Sequence, residues 1–260
     1  MALGRKRPLE GLVMTISRST MLGLALSLTL TACGDKPAEP AAPAATAAVP
    51  AAPAGATDWL SVVVPTPEGG FRLGNPDAKV KLLEFASLTC PHCGDFHAAA
   101  FEAIKTKYVA SGNVSYEFRN FVLNGPDYAA AMLARCQGAE PFFGLLDSFF
   151  KDQASWTEPF GKLGQADSAR LSALPEDKQI AALAEIGKLD GYVRTRGMPR
   201  ARFDQCLADK GAFDKLIEMR KQATDTYKLT GTPGFIINGV VQEDVYDWKG
   251  LEPKLQAALQ

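Results

Sequence analysis

The chain has 260 residues, 47% of them apolar and 22% charged, with a formal net charge of −1; that is enough material for one domain with a sizeable core, or one domain carrying an insertion. The charge is uneven, because within residues 1–32 Arg5, Lys6, Arg7 and Arg18 stand against Glu10, a net of +3 that leaves −4 for the rest. A chain balanced in this way offers no electrostatic footprint for nucleic acid.

The basic start and the apolar run Met21 to Leu30 read as a secretory signal, with Met14 as a candidate true start. So short an apolar run does not span a bilayer. It ends in Leu30-Thr31-Ala32-Cys33, which resembles the lipobox of bacterial lipoproteins. Residues 1–32 are therefore expected to be a signal peptide, with Cys33 the lipidated first residue of the mature chain and the protein periplasmic, tethered to a membrane. A plain signal peptide cleaved nearby is the alternative. By the same resemblance, Gly34 in place of Asp favours the outer membrane. Residues 33–56 are rich in Pro and Ala and have no periodic apolar face, so they are expected to be a disordered linker, holding the domain on the order of 60 Å from the membrane if mostly extended.

Trp59 to Val64 and Phe71 to Leu73 read as a short edge segment interrupted by Pro65 and Pro67, and Gly74-Asn75-Pro76-Asp77 as a turn. Val80 to Phe85 is a nearly continuous apolar run, the pattern of a strand covered on both faces. A Cys90-Pro91-His92-Cys93 turn follows, then a helix from Phe96 to Tyr108 and a parallel strand from Val114 to Phe121, a βαβ unit. From Pro126 to about Tyr227 apolar positions recur at helical spacing, as in Ala130, Leu133 and Ala134 or Ile180, Leu183 and Ile186. The sheet resumes at Gly234 to Ile237, turns at Asn238-Gly239, returns through Val240 and Val241, and a helix near Trp248 to Leu259 closes the chain.

Cys90 and Cys93 form the sharpest chemical signal, since two thiols separated by two residues at the start of a helix exchange electrons as a pair. Unpaired N–H groups and the positive end of the helix dipole favour a thiolate at Cys90, which makes it the nucleophile and Cys93 the resolving thiol. Pro91 suits the first helical position. His92 is a candidate for tuning the thiolate, or else an exposed imidazole without a role. Glu84, the one acidic residue of its strand, lies six positions before Cys90. Facing the core it would have a raised pKa and could relay a proton to Cys93; at a strand edge it would sit in water. With Cys33 assigned to lipid, Cys136 and Cys206 remain, and an oxidising compartment favours a structural disulfide between them, with two free buried thiols as the alternative. His97 completes Cys-x-x-Cys-x-x-x-His, a pattern a soft metal could use; a surface histidine is the expectation. Phe142, Phe143, Phe149 and Phe150 are expected in the core rather than in a peptide groove.

Taken together, Gly74-Asn75-Pro76, Val80, Glu84-Phe85, Cys90-Pro91-His92-Cys93, a helical insertion and Gly231-Thr232-Pro233-Gly234-Phe235, in that order, resemble the DsbA family of thiol:disulfide oxidoreductases over residues 57–260. The resemblance implies an α/β thioredoxin fold (57–122 and 227–260) with an inserted all-helical domain (123–226). It also implies an acidic residue at the place of Glu84 and a cis Thr232–Pro233 bond, with Thr232 facing the cysteines and pairing its backbone with an extended client. Thr replaces the Val of the best-known oxidase and is shared with isomerase and reductase relatives, so both directions of electron flow stay open.

The leading expectation is an extracytoplasmic enzyme, monomeric and without a cofactor beyond its own redox disulfide. It would oxidise exported proteins with free thiols and be reoxidised by a DsbB-type quinone-linked membrane oxidase. A reductase or isomerase for exported proteins is the second reading. A thiol-based copper-binding module is the third.

Overall fold

The computed structural model describes residues 57–260, and the expected signal segment, Cys33 and the Pro/Ala-rich linker lie outside the described residues. Asp58 accepts from the Leu60 N–H at 3.1 Å and so opens a single 3₁₀ turn, Trp59–Ser61, where an extended segment was expected. Six strands follow in chain order: β1 (Val63–Pro65), β2 (Phe71–Leu73), β3 (Val80–Ala86), β4 (Val114–Asn120), β5 (Gly234–Ile237) and β6 (Val240–Val241). They form one sheet in the order β1-β2-β4-β3-β5-β6. β3 and β4 are its parallel pair, with Leu82 opposite Tyr116 and Glu84 opposite Phe118. The other neighbours are antiparallel.

A parallel pair needs a crossover. Here it is α1 (Pro91–Ala103), which continues through a π-helical turn, Ile104–Val109. The β5–β6 hairpin turns at Asn238 and Gly239, whose φ values of 50° and 85° suit the primed turn that matches strand twist.

Between β4 and β5 the chain is helical. α2 (Gly125–Cys136) starts where the Asn124 side chain accepts from the Asp127 N–H, and it is buried nearly all round through Ala129, Ala130, Ala131, Met132, Leu133 and Ala134. Around it lie α3 (Phe142–Lys151), α4 (Gln153–Gly161), α5 (Gln165–Ser172), α6 (Glu176–Ile186), α7 (Leu189–Arg194), α8 (Arg200–Leu207) and α9 (Lys210–Asp225). The last helix, α10 (Trp248–Leu259), is capped by Asp247 and packs on β3 and β5. This is the thioredoxin fold with helices inserted between β4 and β5. Among the described residues, no helix is long and apolar enough to cross a membrane.

Alternation along β3 decides what lies beneath α1. Successive side chains of a strand point to opposite faces, so Leu82 and Ala86 join the large core that contains Cys90, Cys93 and Phe96. Leu83 and Phe85 enter a smaller core with Phe121, Ala223 and Ile236. Glu84 shares the parity of Leu82 and Ala86 and is 1% exposed. The four phenylalanines of α3 belong to the large core, where Phe142 stacks on Phe71 at 4.2 Å between ring centroids.

Candidate active site

The loop from Ser87 to Cys90 joins β3 to α1 and closes with the Cys90 N–H on the Ser87 carbonyl at 3.3 Å. Cys90 is the N-cap of α1, with extended backbone and no side-chain capping bond, and Pro91 follows at the start of the helix. The Cys90 sulfur thus sits where the helix leaves its first N–H groups unpaired. A hydrogen bond from the Cys93 thiol is the main force lowering the Cys90 pKa, from an ordinary 9.0 to about 5. Burial opposes it, while Thr232 and the backbone N–H groups of Cys93 and His92 add to it. The His92 side chain is exposed, and its main-chain N–H is among the groups that lower the Cys90 pKa.

Thr232 comes from the loop before β5. Its peptide bond to Pro233 is cis, and its carbonyl lies 3.5 Å from the Cys90 sulfur. Cys93, one turn into the helix, is 0% exposed against 7% for Cys90. Burial pushes its pKa far above the ordinary thiol range, and the hydrogen bond to Cys90 and the charges of Cys90 and Glu84 push the same way. Glu84 itself is raised to about 8 by burial, opposed by a 2.6 Å hydrogen bond donated by the Tyr116 hydroxyl. Two thiols of one motif therefore have opposite electrostatics, with a carboxyl poised near neutrality on the buried side.

Sequence reasoning missed three side chains that shape this site. Asp127 is 0% exposed and accepts from the Ser87 hydroxyl at 2.5 Å and from the N–H groups of Leu88 and Leu123, each at 3.0 Å. Burial raises its pKa to about 6. It pins the cysteine loop to the start of α2. Gln153, at the start of α4, donates to the carbonyls of Leu88 and Cys90 at 2.8 and 2.9 Å. Tyr116 is the third.

The expectation for His97 is corrected. It is not a surface residue but 5% exposed, stacked between Phe101 and Phe150 at 4.3 and 4.7 Å, with Nε2 3.0 Å from Asp147 Oδ1. Flat rings on α1 and α3 cover its faces, and Asp147 satisfies the nitrogen that burial would otherwise strand. Among the described residues, no three His, Cys, Asp or Glu side chains gather into a group able to hold a metal. Away from the loop, Cys136 at the end of α2 and Cys206 in α8 are joined as a disulfide.

The sequence model of the thioredoxin family matches residues 66–257. A solved protein-disulfide isomerase of Novosphingobium aromaticivorans is 32% identical, superposes with a TM-score of 0.71, and the match covers 74% of this chain and 97% of that one. The α-DsbA1 structure of Wolbachia pipientis is 26% identical with a TM-score of 0.60, over 75% of this chain and 93% of that one. The chain belongs to the DsbA-like branch of the thioredoxin family. A Rickettsia bellii protein named as a candidate protein-disulfide oxidoreductase is 31% identical over 68% of this chain. The chain spans 60% of the length of that relative, and less of its counterparts in Rickettsia typhi and Rickettsia prowazekii. In this DsbA-like chain Cys90 and Cys93 are the two free cysteines among the described residues, both buried, with Cys93 the more deeply enclosed.

Proposed function

We propose that the protein is an extracytoplasmic thiol:disulfide oxidoreductase that introduces disulfides into exported proteins through Cys90 and Cys93. The observation that carries this reading is the place of Cys90 at the N-terminal tip of α1, with Cys93 one turn in, where the Cys93 thiol and the N–H groups of His92 and Cys93 hold its pKa down to about 5. A stabilised thiolate favours the reduced pair, so the disulfide form accepts electrons readily.

In the oxidised protein a client thiolate attacks the Cys90 sulfur, the less deeply buried of the two. The Cys90–Cys93 bond breaks as the client–Cys90 bond forms, and the departing Cys93 sulfur takes a proton, for which Glu84 is the nearby carrier. The client's second thiolate then attacks the client sulfur of the mixed disulfide, and Cys90 leaves as the thiolate that its surroundings favour. Two electrons have passed from the client to the cysteine pair. Thr232 lines the approach to Cys90 and offers its backbone to an extended client. A DsbB-type quinone-linked membrane oxidase would take the two electrons onward, and Cys33 would carry the lipid that tethers the protein.

A second reading, isomerase or reductase, draws on the printed name of the Novosphingobium structure and on Thr232. Equilibrating the pair with glutathione buffers separates the two. A potential well above that of thioredoxin, together with disulfide formation in a reduced two-cysteine client, supports the oxidase. A potential near that of thioredoxin defeats it. Labelling with a radioactive fatty acid, lost in Cys33→Ser, tests the anchor.

A further inference from the structure

Gly94 lies inside α1, where glycine costs about 1 kcal/mol relative to alanine, and its φ is not among the positive values of the chain. Its backbone therefore does not require glycine. What its missing side chain provides is space, because a Cβ there would stand 2.8 Å from Gln153 Oε1 and 3.2 Å from Gln153 Cδ. The carboxamide fills that space and divides its Nε2 donors between two main-chain oxygens, Leu88 at 2.8 Å and Cys90 at 2.9 Å. The Cys90 carbonyl also receives the Gly94 N–H at 3.1 Å, the first bond of the helix.

We propose that Gln153, seated in the space left by Gly94, is a positioning residue for the Cys90 sulfur. Two effects follow from the geometry. Fixing the carbonyls of residues 88 and 90 fixes the backbone between them, and so the direction from which the sulfur meets the N–H groups of His92 and Cys93. The same donors draw off the negative ends of two peptide dipoles beside a sulfur that carries negative charge. The proposal rests on the reading of Cys90 as the exchange nucleophile. It adds that the helical insertion helps to set the reactivity of that nucleophile, through one side chain at the start of α4.

The test uses the reduced full-length protein and follows Cys90 ionisation by thiolate ultraviolet absorbance and by the pH profile of alkylation. Asp127, Glu84 and Cys93, the other titratable groups around the loop, stay in place throughout. In Gln153→Ala, and in Gly94→Ala, the Cys90 pKa should rise by about half a unit to one unit, a roughly threefold to tenfold loss of thiolate below the pKa. The double variant should match Gln153→Ala alone, since Gly94 acts through Gln153. Gln153→Met keeps the length, loses the donors and adds no charge, so it should also raise the pKa, and it keeps the test open should Gly94→Ala not fold. A low Cys90 pKa in the unchanged protein that persists in the Gln153 variants overturns the positioning role and leaves the exchange reading standing. Additive single effects overturn the link to Gly94. An ordinary thiol pKa in the unchanged protein brings down the exchange reading itself.

Discussion

The two cysteine pairs sit at opposite ends of helices. Cys90 occupies the N-terminal tip of α1, whereas Cys136 is the last residue of α2 and Cys206 the last but one of α8. At a helix start, unpaired N–H groups stabilise a thiolate; at a helix end, unpaired carbonyls oppose one. The members of the first pair lie three positions apart, and their pKa values are pushed in opposite directions. The second is bonded across a sequence separation of 70 and ties the end of α2 to α8. The contrast teaches that a helix start lets the neighbouring thiol and the backbone N–H groups hold a cysteine sulfur ionised, whereas the two cysteines near helix ends are joined to each other.

The strongest way to break the comparison is to exchange the roles by deletion. Cys90→Ser should reduce disulfide exchange with a two-cysteine client to background while leaving the melting temperature near that of the reduced protein. The Cys136→Ser, Cys206→Ser double variant should keep exchange and lose about 4 kcal/mol in denaturant unfolding, by the loop-entropy relation for a loop of that length.

Glu84→Gln sharpens the buried side of the active pair. A carboxyl raised from 4.5 to about 8 favours the folded state most below pH 4.5 and loses that contribution as pH climbs through 8. The variant should therefore gain stability over the parent across that window, by roughly 2–4 kcal/mol at neutral pH. Its exchange rate should also lose a pH-dependent phase near 8.

For Cys90 the sign is opposite. Its depressed pKa stabilises the reduced folded state fully above pH 9, and the contribution is lost as pH falls to 5. The stability difference between reduced and oxidised protein should thus shift toward the oxidised form by about 2–3 kcal/mol between pH 7 and pH 5. The smallest expected effect is that of Thr232→Val, which removes one contributor to the low pKa and should raise it by about half a unit, read from the alkylation profile.

The strand, the cysteine turn and the crossover helix were legible because each is a local pattern: an apolar run, a Pro at the first helical position, a return strand of the same character. Glu84 was legible for a related reason, since an acidic residue in a buried strand has to be accounted for. The Asn238-Gly239 turn was plain from two residues. Asp127 and Gln153 were not legible. Their partners in the cysteine loop lie 39 to 65 positions away, from Leu88 and Asp127 to Leu88 and Gln153, and nothing local to α2 or α4 marks them. His97 was misjudged for the same reason, because Asp147, 50 positions on, and the ring of Phe150 make its burial tolerable.

The complete enclosure of Cys93 has a consequence for the lifetime of the covalent complex. A small thiol that captures Cys90 can be expelled from outside, by a second thiolate that attacks its own sulfur, or from within, by Cys93, which is 0% exposed and which no outside reagent reaches. Because Cys93 is held protonated by its surroundings, expulsion from within is slow. On the proposed exchange reading, that slow inner route leaves a tethered client an interval in which to bring up its second cysteine.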